Sequence, residues 1–339
     1  MLKHLRINYL IIAFIFIVIS ALGIFCAFTI SNRISMAAFM YGAGSETDPY
    51  RIYDGNQLYS LCEVSQSSNA KEWTKGKHFV LYNDVALTNY GALEGSTDGF
   101  YGILDGNGHT ITIVQGALFY LLGQNASIKN ANFRINVTGT AKKYNYGICR
   151  RISPGATIEN CNVTGTIDLD CSMRPGGATS STYIGGFCVF NGGKIINCSF
   201  DGQVIDSTDK FYHGSINFGI MAVNGGSIEN CTVNADIDIY ADAMLSEFGG
   251  IAYESKLTGC TFNGTYKITC STASSMAGMV VRLYALSEEC SNCIFNGNVI
   301  VDYQNRNWSR HSIRISSSES DYIHNGEIKI LNKPNSGEE

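Results

Sequence analysis

Apolar residues recur along this chain in short alternating runs rather than at helical spacing, and one run returns in a fixed form, Ile-x-Asn-Cys-x-(Phe/Val). Its five copies are residues 158–163, 195–200, 228–233, 257–262 and 290–295, and Ile128, Asn130, Ala131 and Phe133 fill the same columns in a looser sixth. The cysteines of the five copies are 37, 33, 29 and 33 residues apart in turn. Repeats of this length mark stacked units. β-branched and aromatic residues broken by Gly, Asn and Asp make the unit a set of short strands rather than a helix pair.

A second run repeats out of phase with the first, in residues 147–149, 185–189, 218–222, 248–252 and 277–281. A third follows the cysteine run, where Ile167 and Leu169, Val204, Ile237 and Ile239, Tyr266 and Ile268, and Val299 and Val301 alternate with polar residues. Three strands in a turn of about 30 residues predict an all-β fold, a right-handed parallel β-helix with each strand about 4.8 Å from its equivalents above and below. Inside it, Phe133, Val163, Phe200, Val233, Phe262 and Phe295 form an inward spine, with the cysteines as small apolar neighbours. Asn130, Asn160, Asn197, Asn230 and Asn292 take corners that need a left-handed backbone, and their amides can pair from rung to rung. Gly259 meets the same backbone demand.

Composition changes little in this picture. The chain has 339 residues with 36 Gly and only 4 Pro, which suits corners and unbroken ladders in one elongated domain. A net charge of −5 without any basic run excludes nucleic acid as an expected partner. Lys3, His4 and Arg6 precede residues 9–30, an apolar stretch without formal charge and long enough to cross a bilayer. The charge bias places the N-terminus in the cytoplasm and the repeats outside. Residues 1–40 are therefore a membrane anchor or signal segment, since Ser35-Met36-Ala37 before Ala38 also fits signal cleavage. Residues 41–115 form an N-terminal cap and first turns, 116–301 the repeat-built helix, and 302–339 a C-terminal cap and disordered tail, with a last strand at 327–331. The amphipathic stretch 57–64, with Leu58, Leu61 and Cys62 on one side, is the expected capping helix.

Residues 42–52, 79–85 and 100–111, with Gly116-Ala117-Leu118-Phe119 and the Gly-Gly-Ile runs, resemble the β-helix domains of bacterial surface proteins of the GLUG-motif, filamentous-haemagglutinin-like type. The resemblance covers roughly residues 42–301. It implies a bacterial cell-envelope location and an adhesion or structural role, since such modules carry architecture more than activity.

Candidate chemistry is sparse. Twelve cysteines in an exported chain admit disulfides, but stacked cysteines about 4.8 Å apart are set too wide for that bond, so free interior thiols are expected. Cys290 and Cys293 are core columns rather than a zinc pair, and no metal or other cofactor is expected. The outward acids Asp168, Asp170, Asp236, Asp238 and Asp302 open the rival reading of a polysaccharide lyase or glycoside hydrolase. Asp168 and Asp238 share a column, but Ile205 separates them, which puts them about 10 Å apart. His109 and His213 stand singly. Seven Asn-x-Ser/Thr sequons follow from the residues that corners and outer faces require, and are not read as glycan acceptors.

Segments 171–184, 207–217, 240–247 and 270–276 vary most and leave one edge of the stack, where solenoids bind. Tyr183, Phe211, Tyr212 and Tyr240 in them are the candidate ligand-binding aromatics, for a surface glycan or a protein, although such rings can also fold back onto the core. Protease added to intact cells should digest residues 41–339 while detergent is needed to release the full chain. Protection of those residues from external protease would contradict the exported topology.

Overall fold

The computed structural model describes residues 41–88, 98–114, 116–138, 144–168, 182–205, 216–241, 247–270, 280–282, 290–303, 312–314 and 322–331. The expected membrane segment at 9–30 and the tail at 332–339 lie outside these. Among the described residues no helix is long and apolar enough to cross a membrane.

Every described strand pairing is parallel, and the strands fall into three sheets that run along one axis. This is a parallel β-helix, as the repeats predict. Sheet 1 begins at Tyr50–Ile52 and carries the Ile column, with Ile128, Ile158, Ile195, Ile228 and Leu257 in register. Sheet 2 runs from Val85–Leu87 to Ile328–Leu331 and carries the spine. Sheet 3 runs from Tyr144–Tyr146 to Ser312–Arg314.

The division of each turn differs from the sequence reading in two respects. The cysteine run is split at its Asn-Cys corner between a strand of sheet 1, such as Thr157–Glu159, and a strand of sheet 2 that continues into the run after it, as in Asn162–Asp168 and Thr261–Cys270. Gly165, Gly202, Ala235, Gly264 and Gly297 stack in one register column inside these strands. A Cβ on Gly202 would lie 1.9 Å from the Gly165 carbonyl oxygen, so the column is small because backbone packs on backbone there. The out-of-phase run is divided as well. Gly185, Gly186 and Phe187 turn the chain from Thr182–Gly185 in sheet 3 to Cys188–Asn191 in sheet 1.

The asparagine corners form as expected. Asn130, Asn160, Asn197, Asn230 and Asn292 all have φ between 51° and 53°, and Gly259 replaces them at 63°. Asn197 Nδ2 donates to Asn160 Oδ1 at 3.3 Å, and Asn160 Nδ2 to Asn130 Oδ1 at 3.4 Å. A second ladder, not anticipated, runs up the outer face of sheet 2. There Asn234, Asn263, Asn296 and Asn325 each donate to the residue one rung below at 2.6 to 2.9 Å, beginning at Asp201. Two of the sequon asparagines, Asn162 and Asn263, belong to such outer ladders, which gives them a structural reason to be present.

Within the stack, Phe133, Val163, Phe200, Val233, Phe262 and Phe295 occupy one register column and are all buried. The Phe262 and Phe295 rings lie 4.7 Å apart and nearly parallel, which is the strand spacing expressed in side chains. Helix α1, Gly55–Val64, closes the N-terminal end with Leu58, Leu61 and Cys62 buried. Asp54 caps it by accepting the Asn56 and Gln57 N–H groups, and Gln57 Oε1 in return accepts the Tyr53 N–H at 2.6 Å. Helix α2, Ala70–Thr74, follows and was not foreseen.

The corner argument is testable by chemical denaturation of position 197. Asn197→Ala should lose about 2 kcal/mol, because it keeps a Cβ in the left-handed region and removes a ladder bond. Asn197→Gly should lose less, as the natural Gly259 implies. Equal losses, or none, would contradict the assignment.

Candidate binding face

Sheet 2 strands end at Asp168, Ile205, Ala241, Cys270 and Tyr303, and the sheet 3 strands that follow begin at Thr182, Ile216, Glu247, Val280 and Ser312. Because both sets are in register with their neighbours, the variable segments all leave and return along one edge. Of the four aromatic candidates, Phe211 and Tyr212 lie outside the described residues. Tyr240 is the penultimate residue of Thr232–Ala241, opposite Thr269, and its side chain is outside the described set. Tyr183 sits on the sheet 3 side of the edge and is half-buried.

Tyr183 does not stand alone. The sharp corner after it brings its ring to 5.9 Å from Phe190 on the outer face of sheet 1. A Cβ on Gly185 would be 1.9 Å from the Cys188 carbonyl oxygen, so glycine is required for that fold-back. Arg151 pairs in register with Phe190, and its guanidinium lies 5.3 Å from that ring's centre. One residue earlier, Arg150 stacks on Tyr120 at 4.9 Å and donates to the Tyr120 hydroxyl. Tyr183, Phe190 and Arg151 thus group at the corner between sheets 3 and 1. Aromatic faces take the C–H faces of sugars or a partner's apolar side chain, and guanidinium groups take hydroxyl or carboxylate oxygens. Sequence reading found Tyr183 but missed Phe190, Arg150, Arg151 and Tyr120. The available signal was an aromatic on each side of the Gly185-Gly186 corner.

Of the outward acids, Asp236 and Asp238 are engaged in the stack. Asp236 accepts the Thr265 N–H at 2.9 Å, and Asp201 accepts Asn234 Nδ2 at 2.6 Å. Asp168, Ile205, Asp238 and Lys267 do share one column, and Asp238 is paired with Lys267 Nζ at 2.9 Å. Asp302 stands opposite Thr269 and Leu331. Asp170 and His213 lie outside the described residues. His109 Nδ1 is 3.4 Å from Asp84 Oδ1, a pair that sequence reading did not anticipate. Asp84 also accepts the Thr110 N–H, and that bond is the main reason its pKa is lowered. Among the described residues no three His, Cys, Asp or Glu side chains are grouped to hold a metal ion.

A separate cavity of about 140 Å³ lies at the cap, lined by Tyr50, Leu61, Trp73 and Phe79 among others. It is well below the roughly 300–1,000 Å³ of ordinary ligand sites.

The interior thiols are nucleophiles held out of reach. Cys62, Cys149, Cys161, Cys188, Cys198, Cys231, Cys260 and Cys293 are free and buried. Burial raises the pKa values of Cys62, Cys149 and Cys188. Hydrogen bonding between successive thiols, followed by burial, raises those of Cys198, Cys231 and Cys260.

The chain matches no family profile and no curated protein. Among solved structures it is similar to a crystal structure from Bacteroides ovatus titled "putative immunoglobulin A1 protease", with 18% sequence identity, 86% of this chain and 87% of that chain covered, and a TM-score of 0.50. At that identity the likeness supports the shared fold.

A thiol reagent at mildly alkaline pH should label none of these eight cysteines in native protein, and all eight after denaturation without reductant. A thiol whose folded pKa is raised contributes stability below its unfolded pKa, so stability should fall as pH climbs past the ordinary thiol range. Rapid native labelling of Cys198 or Cys231 would contradict their burial.

Proposed function

We propose that this chain is an exported, non-catalytic β-helix module of the bacterial surface that binds a glycan or protein along its loop edge. The observation that carries this reading is the corner cluster of Tyr183, Phe190 and Arg151, which combines ring faces and a guanidinium beside the edge from which the variable segments leave. Tyr240, Phe211 and Tyr212 are further ligand-binding candidates in this reading. Residues 9–30 hold the chain at the membrane, and the likeness to GLUG-motif adhesins supplies the surface role. Asp201, Asp236 and Asp238 are occupied by ladder bonds and by Lys267, which favours binding over glycosidic cleavage. The similarity to the Bacteroides ovatus structure, at 18% identity, speaks for the fold alone.

Full-length protein in mild detergent should retain sugars or a surface protein on a mixed glycan and protein array, and should release no products from polysaccharides. Tyr183→Ala and Arg151→Ala should each weaken the retained ligand by about 2 kcal/mol, near 30-fold, with melting unchanged. Depolymerisation by the wild type would replace this reading with the enzyme one. Full retention by both variants would remove the corner from the site.

A further inference from the structure

The two ends of the solenoid are finished differently. At the N-terminal end α1 lays Leu58, Leu61 and Cys62 against the first rungs, each fully buried. At the other end, Ile328–Leu331 pairs with Cys293–Tyr303 on one side, and among the described residues no strand pairs with its other side. The effect shows in one inward column. Ile167, Val204, Ile237, Tyr266 and Val299 are at most 1% exposed, whereas Ile328, next in that register, is 43% exposed. Leu331 beside it is 45% exposed.

An open strand edge is a template for another strand. What this one offers follows from its ladder. The Val299 N–H donates to the Glu327 carbonyl at 2.9 Å, so Glu327 turns its carbonyl toward the neighbouring strand. Backbone groups alternate sides along an extended strand, so Lys329 also faces inward to the sheet, and Ile328 and Ile330 direct their N–H and C=O groups to the open edge.

The residues around Ile328 are their own complement. Glu327 and Lys329 flank it on the same face, well exposed, and their charged groups are 2.9 Å apart. If two copies pair antiparallel about Ile328, each Ile328 exchanges both backbone hydrogen bonds with its counterpart. Glu327 of one copy then stands opposite Lys329 of the other, twice, and the two Ile328 side chains meet on the core side. A parallel continuation of the stack would not use this symmetry.

We propose that the C-terminal edge is the contact of a tail-to-tail dimer of this chain, with a two-fold axis through Ile328. The occupant is a second copy because the charge pattern is self-complementary, as an isologous contact requires. A head-to-tail fibre is blocked by α1 at the other end. The dimer sets two loop edges on one elongated body.

The test is the mass of full-length protein in mild detergent, measured by light scattering across a dilution series. Wild type should be dimeric at high concentration. Lys329→Glu opposes two carboxylates at each contact and should weaken the dimer by about tenfold or more, while the double exchange Glu327→Lys with Lys329→Glu should restore it. Both side chains are exposed, so melting at dilutions where both proteins are monomeric should stay at the wild-type value, and the exchange variant controls for any local damage. A monomeric wild type overturns the proposal. So does a dimer that Lys329→Glu leaves intact, which would place the contact elsewhere, such as in residues 9–30, or an exchange variant that fails to recover.

Discussion

Each turn of this chain must return to the same register as the turn beneath it, and the left-handed backbone at the corner after the Ile strand is what lets it do so. Asn130, Asn160, Asn197, Asn230 and Asn292 hold that conformation within a few degrees of one another. Asparagine tolerates it, and stacking then brings successive amides within hydrogen-bonding reach. Once that corner is fixed, the next residue turns inward as Cys and the third as Phe or Val. The buried thiols and the stacked rings are therefore consequences of one backbone requirement repeated along an axis.

The same regularity decides where function can reside. On the flat outer face of sheet 2, side-chain oxygens and amides are spent on the rung above or below, from Asp201 through Asn234, Asn263 and Asn296 to Asn325. Such a face holds the stack together and offers little individuality. Distinctive chemistry arises where register is interrupted, at the corner made by Gly185 and along the edge where the variable segments leave, and at Ile328–Leu331, the last strand among the described residues.

Much of this was legible in the residues. The repeat revealed the β-helix, the inward spine and the left-handed corners, because each is a local demand that recurs, and the amphipathic stretch 57–64 revealed the capping helix. Strand limits were harder to see. The Gly165 column has the composition of a turn, yet its smallness answers the close approach of the next rung's backbone, which is a contact about 30 residues away. The second asparagine ladder was hidden among sequons for the same reason, since Asn263 has its partner in Asn234 and not in its own strand. At the candidate site, Tyr183 could be picked from its loop, but Phe190 and Arg151 join it only through a fold-back and a cross-rung pairing.

Rung-to-rung dependence is the central claim, and hydrogen exchange on Phe262→Ala measures it most directly. Removing that ring leaves a void beside Phe295 and should cost about 3–5 kcal/mol. The account predicts that protection falls most in Thr261–Cys270, less in the adjoining Thr232–Ala241 and Cys293–Tyr303, and little at Tyr50–Ile52 and His78–Leu81. A uniform loss across all strands, or loss confined to residues around 262 with both neighbouring strands untouched, would contradict it.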